Sequence, residues 1–179
     1  MKRLRILAAT AVLSTGLIGA AGAAGVTPAS AAMVANCRAT QLHLSVGQPS
    51  GAAGTSWYPV VFTNTGTAAC AIWGVPQIQP VLGGASHSRA HVGPSARNES
   101  MGEMGVRHVV APGKSVSDAF GVTDTLNYSA ATCRPRWAGG IEVTLGDFLR
   151  HGYVALRISV CTRLASTRTQ LIVAGATGA

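Results

Sequence analysis

Five side chains between residues 87 and 108 supply the two donor types that suit copper, chiefly Cu(I): the imidazoles of His87, His91 and His108 and the thioethers of Met101 and Met104. His91 adjoins the turn-like run Val92-Gly93-Pro94, and His108 lies in a strand-like run. Loop histidines and gap-filling methionines are therefore the ordinary reading, and a His/Met copper site is the alternative. Acid–base chemistry has only six carboxylates to draw on, Glu99, Glu103, Asp118, Asp124, Glu142 and Asp147. Asp118 shares a strand face with Val116, Phe120 and Val122 and is the one carboxyl that burial could perturb, but the expectation is an edge or rim aspartate bonded to backbone or paired with an arginine rather than a catalytic acid. There is no Gly-x-Ser-x-Gly elbow and no alternating strand–helix pattern, so a serine hydrolase is not indicated and no catalytic residue is expected. The run Arg134-Pro135-Arg136-Trp137 offers a different use, since Trp137, Arg134 and Arg136 are residue types enriched where partners bind. Trp73, three residues after Cys70, reads instead as core.

Four cysteines, Cys37, Cys70, Cys133 and Cys161, are spread along the chain with no Cys-x-x-Cys pair, which disfavours a zinc site and favours two disulfides. Of the three connectivities, Cys37–Cys70 with Cys133–Cys161 is preferred, because each closes a short loop between neighbouring elements. Disulfides require an oxidising compartment. The N-terminus agrees: Lys2, Arg3 and Arg5 precede the apolar stretch Ile6 to Ala24, and Ala29-Ser30-Ala31 supplies small residues for cleavage. Residues 1–31 are expected to be a removed signal peptide, the alternative being a retained membrane anchor of weak hydrophobicity. Residues 32–36 then form a flexible start, and no stable membrane insertion is expected after cleavage. The remaining 148 residues carry 11 basic and 6 acidic side chains without a basic cluster, so no nucleic-acid partner is indicated.

The elements that must position these residues read as strands. Leu42, Leu44 and Val46 alternate with polar neighbours, as do Tyr58, Val60 and Phe62 before Asn64-Thr65-Gly66, and Val154, Leu156, Ile158 and Val160. Further runs lie at 70–73, 77–82, 106–110, 115–122, 141–145 and 171–173, separated by Gly51 to Gly54, Gly83-Gly84, Pro112-Gly113 and Gly139-Gly140. Pro59 and Pro80 each predict an edge or a bulge. No segment after residue 31 has helical periodicity. The expectation is an all-β, antiparallel sandwich of about seven to nine strands over residues 37–173, with a flexible tail at 174–179. Its long connections, Gly83 to Gly105 and Asn127 to Gly140, are the expected recognition loops.

Several of these landmarks occur together in one family. Cys37 with Leu42 and Leu44, Ala52-Ala53-Gly54, Tyr58, Val61-Phe62-Thr63-Asn64-Thr65-Gly66, Cys70, Trp73-Gly74-Val75-Pro76, Gly93-Pro94 with Ala96-Arg97, Pro112-Gly113, Cys133 and Cys161 follow in an order that resembles the secreted actinobacterial domain of unknown function 4232. Members often carry Gly-Tyr-Pro where this chain has Gly74-Val75-Pro76, and the segment around Glu142 lacks the paired prolines common there. The resemblance implies an exported immunoglobulin-like β-sandwich and no assigned activity. The combined expectation is a secreted, non-enzymatic binding or structural module, without a cofactor, that meets an unknown protein or cell-wall component at or outside the cell envelope. The alternative is an envelope copper-binding protein using the His/Met stretch.

Overall fold

Alternating apolar residues can be buried only if a second layer covers their face, and here two main sheets cover each other. The computed structural model describes residues 33–83, 90–103 and 105–178. The larger sheet contains β1 (Leu42–Val46), β2 (Ser50–Ala52), β3 (Thr55–Asn64), β6 (Arg97–Asn98), β8 (Ser115–Thr123), β11 (Thr167–Thr169) and β12 (Val173–Ala174). Its order is β1-β3-β8-β11-β6, with β2 paired to β3 and β12 to β8. The second sheet is β5 (Gln77–Val81), β9 (Pro135–Leu145) and β10 (Leu149–Cys161), in the order β10-β9-β5. A pair, β4 (Cys70–Ile72) and β7 (His108–Val110), stands beside them. Between the sheets, Val60, Phe62, Val116 and Phe120 of the larger meet Ile78, Ile141, Val143 and Ile158 of the smaller in one core cluster.

The chain is thus an immunoglobulin-like β-sandwich with both preferred disulfides, Cys37–Cys70 and Cys133–Cys161. They close separations of 33 and 28 residues, which on chain-entropy grounds contributes roughly 3 to 4 kcal/mol each. Short edge pieces raise the strand number to twelve among the described residues, and β6 pairs β11 in parallel. Pro80 does lie on an outer strand, but Pro59 lies in the interior of β3. It is tolerated because its free side falls in the gap where β1 ends opposite Val60 and β2 begins opposite Trp57.

Four expectations require correction. The residues expected as loose ends are tied down: Ala35 accepts from the Ala71 amide, Asn36 bridges to Ala71, β12 pairs β8, and the Gly178 amide donates to Ser117 Oγ. Gly139-Gly140 is no turn but the middle of β9, where Gly140 leaves room for the ring of Tyr153; a Cβ there would lie 2.4 Å from it. The run at 171–173 is a strand only at its last residue, Val173, where β12 begins, and β11 ends before it at Thr169. A four-residue helix, α1 (Ala130–Cys133), stands where no helix was expected, capped by the Ser129 hydroxyl, which accepts from the Thr132 amide. One turn is too short to display a helical period.

Two buried polar side chains organise the interior. Asn64, fully buried, donates through Nδ2 to the Ala68 and Val110 carbonyls and accepts from the Gly66 amide through Oδ1, joining the end of β3 to its turn and to β7. Asp118, expected at an edge or rim, points instead from β8 into the core and is fully buried. Its Oδ1 accepts from the Gln170 amide at 2.8 Å, and its Oδ2 lies 2.9 Å from Thr169 Oγ1. Thr169 Oγ1 also lies 3.0 Å from the Pro76 carbonyl and has only one proton to give. Both contacts are satisfied together when Asp118 is neutral: its O–H donates to Thr169, whose O–H donates to Pro76. Burial pushes the Asp118 carboxyl from 3.8 up to about 7, against the hydrogen bonds that the Gln170 amide and the Thr169 hydroxyl offer its ionised form.

The folded chain therefore holds a proton that the unfolded chain has released between pH 4 and pH 7. Stability falls as pH rises through this window, is fully present below it, and levels off above the folded value. Relative to Asp118→Asn, which cannot ionise, the wild type should lose about 4 kcal/mol between pH 4 and pH 8. Urea unfolding of both chains across that range measures it; parallel curves would contradict the neutral carboxyl.

Candidate functional site

The site forms where the end of β8 and the β2–β3 turn approach the outward face of β9 and β10. Arg134, in the left-handed conformation at φ 47°, ends α1 and turns the chain into β9. Trp137 of β9 then lies opposite Ser159 of β10, and Arg157, two residues earlier on the same face, extends across it. The Arg157 guanidinium lies 4.7 Å from the Trp137 ring centroid, a cation–π contact worth about 0.5–1 kcal/mol at an exposed site. Trp137 keeps 59% of its surface exposed, more than any other tryptophan.

The opposite wall is the hairpin turn Ala53-Gly54, both residues at positive φ as a two-residue turn of the primed type requires. It is docked on a 3-10 turn, Thr125–Asn127: the Asp124 amide and Asn127 Nδ2 both donate to the Gly54 carbonyl. Thr125 Oγ1 is hydrogen-bonded to Ser159 Oγ, joining the two walls. The cleft between these walls has a volume of about 520 Å³ and takes in Trp137, Arg157, Tyr58, Ser56 and Asp124. Its one carboxylate, Asp124, accepts from the Leu126 amide as the cap of that turn. An aromatic face, a cation and several hydroxyls can hold a polar ligand.

Of the residues expected at a partner surface, Trp137 lines this cleft, whereas Arg134 and Arg136 are exposed outside its lining. Arg157 supplies the cation in their place. It is an outward member of the alternation through β10, but its position beside Trp137 follows only from the β9–β10 register. The connection 127–140, expected as a loop, is instead α1 and the first half of β9.

The copper candidates divide. His87 and Met104 lie outside the described residues, as does the expected signal peptide at 1–31. His91 pairs with Val81 of β5, His108 pairs with Ile72 of β4 and hydrogen-bonds through Nε2 to the Ile172 carbonyl, and Met101 is 81% exposed. Among the described residues, no three His, Cys, Asp or Glu side chains gather as a metal cluster. Trp73 packs against the core as expected, edge-on to Phe148 with centroids 4.6 Å apart, and Arg107 lies over it.

A disulfide-stapled β-sandwich with an open, aromatic-walled cleft at the margin of its sheets is the class that fold and site define together. The chain belongs to the family described as a domain of unknown function, DUF4232, whose model matches residues 37–174, from the first cysteine through β12. No curated protein matches the chain, and no solved structure does.

The contrast between the two tryptophans can be measured. Trp137→Ala should change stability by less than about 1 kcal/mol, because the ring is mostly in water, whereas Trp73→Ala should cost about 3 kcal/mol. Urea unfolding of the oxidised protein distinguishes the two; equal losses would make Trp137 a packing residue.

Proposed function

We propose that this protein is a secreted, non-enzymatic binding module of the cell envelope or extracellular space, and that the cleft beside Trp137 holds its ligand. The single observation that carries this reading is the exposed Trp137 ring under Arg157 in the wall of the 520 Å³ cleft. Trp and Arg are among the side chains most enriched at sites that dominate binding energy. Secretion is supported by the basic head and apolar stretch at the N-terminus and by two disulfides, and among the described residues no helix is long and apolar enough to cross a membrane. The hydroxyls of Ser56, Thr55, Tyr58, Thr125 and Ser159 around the ring suit a polyhydroxylated partner, so a cell-wall polymer is the occupant we assign.

Co-sedimentation of the oxidised protein with purified bacterial cell wall tests this. Wild type should pellet saturably, and Trp137→Ala and Arg157→Gln should each weaken binding about tenfold or more. Equal pelleting of wild type and both variants, or no pelleting of any, would overturn the assignment.

A further inference from the structure

On the solvent face of the larger sheet, four strands bring one row of residues into register: Trp57 of β3, Gly121 of β8, Arg168 of β11 and Arg97 of β6. Gly121 is needed there, since a Cβ would come within 2.7 Å of Arg168 Cγ and 2.8 Å of the Trp57 ring, which converge above it. The stem of Arg168 is thereby held, and its guanidinium reaches Thr123 Oγ1 at 3.2 Å and Glu99 Oε1 at 3.0 Å. Arg97 stands directly opposite in the parallel pairing, and among the described residues its guanidinium has no ion pair or hydrogen bond. Like charges directly opposite on neighbouring strands are destabilising. A cleft of about 360 Å³ opens at this pair, lined by Arg97, Arg168, Glu99, Tyr128, Leu164 and Thr167. Its charged groups are two guanidinium cations and one carboxylate, leaving an uncompensated positive charge.

We propose that the Arg97–Arg168 cleft is an oxyanion-binding site, taking a carboxylate or phosphate group of a ligand. The two planar guanidinium groups present donors that match such oxygens, and an incoming anion relieves the repulsion between them. Glu99 is a built-in competitor, because its carboxylate occupies the position on Arg168 that an oxyanion would take. The site lies on the other side of the turn Thr125–Asn127 from the Trp137 cleft and stands on its own geometry. Arg97, Arg168 and Glu99 are all at least one-third exposed, so substitutions at Arg97 and Glu99 leave the core intact.

The test is titration of the oxidised protein with inorganic phosphate and with acetate, against chloride at the same ionic strength, followed by NMR of the arginine side-chain N–H groups. Saturable shifts at Arg97 and Arg168 with phosphate, acetate or both, and not with chloride, are expected; which probe saturates assigns the phosphate or the carboxylate source. Arg97→Gln should weaken binding about tenfold, and Glu99→Gln should tighten it severalfold. Trp137→Ala should leave it unchanged, which separates this site from the cleft of the preceding proposal. Absence of saturation in both wild type and Glu99→Gln, unchanged affinity in Arg97→Gln, or loss of binding in Trp137→Ala would each overturn the proposal.

Discussion

A carboxyl group buried among Val116, Phe120 and the opposing sheet is costly unless its oxygens are hydrogen-bonded, and each oxygen of Asp118 has a partner. Through Gln170 and Thr169 it fixes the stretch just after β11, and through Thr169 it reaches Pro76, one residue before β5. One side chain of the larger sheet thus binds a third strand of its own layer and the entry to the other layer. The disulfides staple different places, Cys37–Cys70 beside the β4–β7 pair and Cys133–Cys161 between α1 and the end of β10. The chain from residue 166 to 170 depends on polar bonds instead, with the Ser166 hydroxyl accepting from the Cys161 amide at one end and Asp118 at the other.

This arrangement has consequences for both clefts. Arg168 lies between Thr167 and Thr169, whose buried side chains point to the interior, so that its own side chain is directed outward over Gly121. Arg168 then donates to Thr123, a residue lining the Trp137 cleft, while Tyr128 lines the cleft of Arg97 and Arg168. The short segment from Thr123 to Tyr128 is therefore a shared wall. Thr167 carries the one buried hydroxyl that lacks a partner among the described residues, so the polar contacts of β11 come from Arg168 and Thr169. Recognition is left to the sheet margins, where the backbone is already fixed by the β9–β10 and β8–β11 pairings, so that binding has little ordering entropy to overcome.

Much of the frame was legible along the chain. The alternation through Tyr58, Val60 and Phe62 marks β3 because burial on one face leaves a period of two. Both disulfides follow from short closures between neighbouring elements, whereas Asp118 reads as an edge or rim residue and is buried because Thr169 and Gln170, some fifty positions on, close over it. What was not legible depended on contacts across the fold. Gly139-Gly140 has the composition of a turn, and only the approach of Leu82 and Tyr153 explains why small residues are needed inside a strand. Arg157 carries no local sign of its place over Trp137, which is set by the pairing of Trp137 with Ser159. Arg97 and Arg168 are 71 positions apart in sequence, and a parallel pairing of two residues brings them together.

The link from β8 through Thr169 to Pro76 depends on a neutral Asp118, and that state can be observed at the atom concerned. The 13C resonance of the Asp118 carboxyl, followed by NMR from pH 4 to pH 9 in the folded, oxidised protein, reports its proton directly. A single titration with its midpoint at about 7 is expected. A carboxyl already ionised at pH 5 would contradict it, and would require Thr169 to give its only proton to Asp118 and leave the Pro76 carbonyl without that bond.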